Sequence, residues 1–148
     1  MTDDSKIILI ERLRKGDILF YKDYPELETG HRDKYIVLLS NNIKEKFFYG
    51  VLTTSQLKYY ESNPFNRIDT KILIPDGKLF KKKTVLDFKK IREFTVKNLK
   101  TAYKNKLLKY YGKFNENLIE EINNAIKNSS TIESNKIDLI CNDSNSIK

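Results

Sequence analysis

Two apolar runs, residues 35–40 (YIVLLS) and 47–52 (FFYGVL), are separated only by the short polar stretch 41–46. Each has the length of a strand and is rich in β-branched and aromatic residues, which favours buried strands over a helix. Lys34 stands at the start of the first run, and Thr53, Thr54, Ser55 and Gln56 follow the second. In an antiparallel pair those two ends coincide. A cation and several hydroxyls then converge at one end of a sheet, and function is expected there.

Further strands are expected on both sides of this pair. Residues 16–24 read as a strand with Ile18, Phe20 and Tyr24 on one face, ended by Pro25. The polar loop 26–33 turns at Gly30 and carries His31 and Arg32. Residues 57–67 read as an irregular loop, and residues 68–74 as a strand with Ile68, Ile72 and Ile74 on one face. Pro75, Asp76 and Gly77 then form a turn signal, and two short strands are expected at 84–88 and 91–96. So many short strands, with no room for crossover helices, predict a compact antiparallel barrel in a mainly β (α+β) chain.

The pattern changes near Lys97. Leu99, Ala102, Tyr103, Leu107, Tyr110 and Tyr111 recur at helical intervals, predicting one helix up to Gly112. Asn115 reads as the N-cap of a second helix over 116–128, with Leu118, Ile122, Ala125 and Ile126 as its apolar stripe. The organisation expected is an N-terminal extension (1–15) in which Ile7 to Ile10 fit either a short helix or an edge strand, a folded unit (16–128), and a polar, disordered tail (129–148).

A chain of 148 residues is long enough for one core. Its single Cys and single His exclude a disulfide framework and a structural zinc site of the usual kind. No run approaches a membrane span or a signal peptide, so a cytoplasmic protein without a membrane partner is expected. The net charge of +8 comes from one segment: residues 78–113 carry 13 Lys/Arg against only Asp87 and Glu93. Such a block suits an anionic partner, a nucleic-acid backbone or an acidic peptide. Biased codon usage also enriches Lys, but it does not explain the missing acids.

Five patches in this order resemble the PemK/MazF toxins of bacterial toxin–antitoxin pairs. They are KGDILFY, KYIVLLSN, VLTTS, TVLDFKKIREF and YYGKFNENLIEEINNAI, spanning residues 15–127. The resemblance implies an SH3-like antiparallel β-barrel of the MazF/PemK/CcdB type with C-terminal helices, usually a homodimer. It also implies cleavage of single-stranded RNA without metal or cofactor, and an acidic antitoxin seated in the same groove. The family's catalytic Arg falls on Lys34, with Tyr35 in place of the following Pro, and its catalytic Thr falls on Thr54, followed by Ser55. Arg32 is a second source of the guanidinium. A carboxylate used by some members aligns with Lys89, with Asp87 nearby.

Metal-free RNA cleavage needs a base for the 2′-hydroxyl proton, an acid for the leaving 5′-oxygen and donors on the phosphate. The candidates for catalysis are Lys34, Thr54, His31 and Arg32; His31 has the one side chain that titrates near neutrality unperturbed. Ser55 and Gln56 are candidates for phosphate contact. Tyr59, Tyr60 and Phe65, interleaved with Lys58 and Arg67, suit stacking of unpaired bases, and Lys81, Lys82 and Lys83 suit phosphate charge. A bland reading stands beside each: loop histidine, edge-protecting lysine, turn hydroxyls, aromatics folding a loop back. Two functions follow, a toxin endoribonuclease and a non-enzymatic protein that binds RNA or inhibits a protein such as DNA gyrase.

Overall fold

The computed structural model describes residues 9–26, 30–54, 57–73, 80 and 82–141. Among them, seven strands form one antiparallel sheet: β1 (Asp17–Glu26), β2 (Gly30–Leu38), β3 (Phe47–Thr54), β4 (Thr70–Leu73), β5 (Thr84–Asp87), β6 (Arg92–Thr95) and β7 (Leu108–Lys113). The order is β4-β5-β3-β2-β1-β7, with β6 also on β3. The helices are α1 (Leu57–Glu61), α2 (Val96–Lys104), α3 (Glu116–Lys127) and α4 (Ser134–Cys141).

The paired middle of β2 and β3, residues 36–38 and 50–52, is apolar on successive residues because both faces of the sheet are covered there. On one face Val37, Leu39, Tyr49 and Val51 pack with Ile122 and Ile126 of α3 and Ile140 of α4. On the other, Ile36, Leu38, Phe48 and Phe94 pack with Leu99 and Ala102 of α2 and with Ile10 and Leu13. The closed barrel expected from the strand count is therefore not formed. The sheet ends at β4 on one side and β7 on the other. Helices cover the apolar faces that a barrel would turn inward.

β5 and β6 run one after the other along the same side of β3. β6 pairs with its first half (Phe47↔Thr95, Gly50↔Arg92) and β5 with its last residues (Thr53↔Leu86, Thr54↔Val85). The 3-10 turn Phe88–Lys90 interrupts them, capped by Asp87, whose side chain accepts the Lys89 N–H at 3.0 Å.

Four expectations need correction. The helix predicted up to Gly112 stops at Lys104. Lys106 takes a left-handed conformation (φ 63°), and the Leu107 N–H bonds back to the Ala102 carbonyl at 2.9 Å, a Schellman ending. The following residues extend as β7 because the free edge of β1 is there to pair (Leu19↔Tyr110, Tyr21↔Leu108). The tail predicted as disordered contains α4, whose Ile140 is fully buried; Asn42 Nδ2 donates to the Leu139 carbonyl at 3.3 Å. The loop predicted at 57–67 holds α1 and the 3-10 turn Pro64–Arg67. On β4 the buried residue is Leu73, while Ile68 precedes the strand and is exposed; the Ile72 side chain and Ile74 lie outside the described residues.

A fifth correction shapes the site. Ile18 and Phe20 share a face as expected, but Tyr24 lies on the other. The β1–β2 register slips between Tyr21↔Lys34 and Tyr24↔Arg32, a bulge at Lys22 and Asp23. Asp23 is left-handed (φ 55°), and its N–H is held by Asp33 Oδ1 at 3.0 Å. The extra residue returns Tyr24 to the face of Leu19 and Tyr21, where all three join the α2-side core.

Of the N-terminal extension, the described part forms a 3-10 turn at Ile10–Arg12, tied to α2 by a Lys100–Glu11 ion pair. Among the described residues no helix is long and apolar enough to cross a membrane.

Candidate nucleic-acid interface at one end of the sheet

The β2–β3 ladder pairs Ile36 with Leu52, Val37 with Val51 and Leu38 with Gly50. The ladder ends at the Ile36–Leu52 pair, so Lys34 lies two residues before that pair on β2 and Thr54 two residues after it on β3, at the same end of the two strands. Strand alternation places Arg32, Lys34 and Ile36 on one face of β2 and Leu52 and Thr54 on the matching face of β3. Arg32, Lys34 and Thr54 therefore stand at one end of the β2–β3 pair, on the side of the sheet that α2 covers.

The neighbouring strands supply the walls. Tyr21 pairs with Lys34 on β1, and Tyr24 with Arg32. Their rings meet edge to face with centroids 5.0 Å apart, and burial pushes the Tyr21 hydroxyl pKa upward. Arg92 reaches over from β6: its Nη1 donates to Tyr24 Oη at 3.2 Å, and its guanidinium lies 5.9 Å from that ring's centroid. Arg92 lies in the strand expected at 91–96. Its partner Tyr24 was assigned to the wrong face, so the pairing was not legible.

The face of Lys34 is fixed by its neighbour. Tyr35, where the resembled family has Pro, points the opposite way into an aromatic cluster. Its ring centroid lies 4.5 Å from Tyr111, 5.2 Å from Phe20 and 5.3 Å from Phe80.

The basic run also reaches this end. β5 runs antiparallel to β3, so Lys82 and Lys83, just before Thr84, lie beyond the Thr54↔Val85 pair, and both are exposed. Lys81, Ser55 and Gln56 lie outside the described residues. His31, the second residue of β2, pairs with Pro25, but its side chain also lies outside them.

Tyr59 and Tyr60 part company. Tyr60 is buried and donates its hydroxyl to Asp87 Oδ2 at 3.0 Å. Burial, with the adjacent Asp87 charge, drives that hydroxyl pKa far upward. Asp87 also holds Lys89, Nζ to Oδ1 at 3.1 Å, so this carboxylate is occupied in bonding α1 and the turn after β5. Tyr60 therefore offers no ring face to a base, whereas Tyr59 is 53% exposed with the Lys90 ammonium 5.6 Å from its centroid.

What the end of the sheet can do follows from its groups. Two cations and a hydroxyl on one face can neutralise and hold a phosphodiester, beside aromatic side chains fit to contact a base or ribose. Among the described residues, no three His, Cys, Asp or Glu are grouped to hold a metal ion. No protein-family model matches this chain, and no curated protein matches it.

Proposed function

We propose that the chain is a metal-independent endoribonuclease that cleaves single-stranded RNA and serves as the toxin of a toxin–antitoxin pair. The observation that carries the reading is the shared face of Arg32, Lys34 and Thr54 where β2 begins and β3 ends. Arg32 supplies the bidentate fork that Lys34 lacks, which answers the departure from the family's Arg.

In this reading the 2′-oxygen attacks phosphorus as its proton leaves to a base, and the 5′-oxygen departs with a proton from an acid. The products are a 2′,3′-cyclic phosphate and a 5′-hydroxyl. Lys34 and Arg32 balance the charge that grows on the phosphoryl oxygens, and Thr54 and Ser55 donate hydrogen bonds to them. His31 carries the proton transfers. The basic segment 78–113 attracts the RNA backbone and is the surface that an acidic antitoxin neutralises; the active form is a homodimer.

The test is incubation with a long single-stranded RNA in EDTA, followed by end-group analysis, against a Lys34→Ala/Thr54→Ala control. Discrete fragments ending in 2′,3′-cyclic phosphate, absent in the control, are expected. Intact RNA overturns the enzymatic reading and leaves a binding protein on the same sheet.

A further inference from the structure

Three large apolar side chains stand in water within one short stretch. Tyr59 is 53% exposed, Phe65 75% and Ile68 42%. Hydrogen bonds fix the backbone around them. Tyr60, next to Tyr59 on α1, is held inward by its bond to Asp87, and the half-exposed Tyr59 ring meets it edge to face with centroids 4.9 Å apart. Asn63 caps the turn that carries Phe65 by accepting its N–H at 2.9 Å, and the Ile68 N–H closes that turn on the Phe65 carbonyl at 3.3 Å. Lysines accompany the rings: Lys90 lies over Tyr59, and Lys89 Nζ donates to the Ile68 carbonyl.

We infer that Tyr59 and Phe65 form a stacking platform for unpaired bases of single-stranded RNA, a subsite separate from the Arg32, Lys34 and Thr54 face. The inference rests on the endoribonuclease reading and adds to it a second point of attachment. Three features favour a nucleic acid over a protein partner. The exposed groups are chiefly flat rings rather than an aliphatic patch, cations sit beside them, and α1 begins three residues after Thr54 in the chain. Stacking on such rings is tolerant of sequence, because every base has a π face. The platform therefore sets affinity and the length of RNA gripped, not the bond cleaved.

The chain contains no Trp, so Phe65→Trp introduces a single indole reporter. A 2′-O-methyl oligouridine, which has no 2′-hydroxyl to attack, is titrated into that variant, and polyphosphate serves as an anion without bases. The platform predicts that the oligonucleotide quenches the indole and polyphosphate does not. It also predicts that Tyr59→Ala/Phe65→Ala weakens oligonucleotide binding roughly tenfold or more while polyphosphate affinity is unchanged. Oligonucleotide binding without quenching, and undiminished in the double variant, overturns the platform while leaving the nuclease reading intact. It would assign the rings to a protein surface. No oligonucleotide binding by the unaltered chain overturns both.

Discussion

The Tyr110 hydroxyl donates to Oδ1 of Asp17 at 3.1 Å, joining residues 93 positions apart across the β1–β7 edge. Asp17 Oδ2 accepts the Arg14 N–H at 2.7 Å, so this buried carboxylate ties the start of β1 to both its flanks.

Burial pushes the Asp17 carboxyl pKa above its ordinary 3.8, against the pull of the Arg14 N–H and the Tyr110 hydroxyl. The folded chain thus holds this proton more tightly than the unfolded chain. The stability it contributes is complete below the ordinary carboxyl value and is lost as pH rises through the raised one. Asp17→Asn keeps the shape and, with the Tyr110 hydroxyl turned to accept, both hydrogen bonds. Its Tm relative to the unaltered chain is expected to rise between about pH 4 and about pH 7. Thermal melts across that range check this, and a difference independent of pH speaks against it.

Lys106 holds a left-handed backbone (φ 63°) at the exposed junction of α2 and β7. A side chain there costs about 1 kcal/mol, which glycine avoids. Lys106→Gly is expected to raise Tm by a few degrees, as calorimetry would register. An unchanged or lower Tm would show that the junction gains nothing from glycine.

Ile140 is fully buried against the sheet. Ile140→Ala is expected to cost about 2–5 kcal/mol. A denaturant titration that shows no loss would mean that α4 does not dock.

On the site, Thr54→Ala removes a phosphate donor without removing a charge. Single-turnover RNA cleavage is expected to slow by about 100-fold or more, with RNA affinity changed only a few-fold. Arg32→Ala should lower both cleavage and affinity, since it takes away a cation as well as a donor. Equal cleavage by the Thr54→Ala chain would remove that hydroxyl from the mechanism.

Local signals were legible where a residue's own chemistry decided its structure. Asn115 caps α3 as expected, its Oδ1 accepting the Leu118 N–H at 2.8 Å. Strands β3, β5, β6 and the second half of β2 followed from β-branched and aromatic runs, whereas Gly30 to Asp33, expected as part of a polar loop, form the start of β2. That Lys34 and Thr54 fall at the same end of the β2–β3 pair was legible for the same reason, since antiparallel pairing of two adjacent apolar strands fixes their ends. Period-based reading failed at residues 107–112, where Leu107, Tyr110 and Tyr111 fit a helix equally well. The vacant edge of β1 took them as a strand. It failed again at α4, whose apolar residues are too few to mark a core segment alone.

The sequence by itself determined which segments are apolar enough to be central strands, where α3 starts, and that cations and hydroxyls gather at one end of β2 and β3. Tertiary structure decided the rest. Helices cover both faces, so the sheet stays open rather than closing into a barrel. A one-residue bulge at Asp23 sets Tyr24 beside Arg92, and Asp87 draws Tyr60 inward while Tyr59 stays in water. Each of these depends on partners distant in the chain. Local propensity carries no information about which strand edge, carboxylate or guanidinium will be within reach.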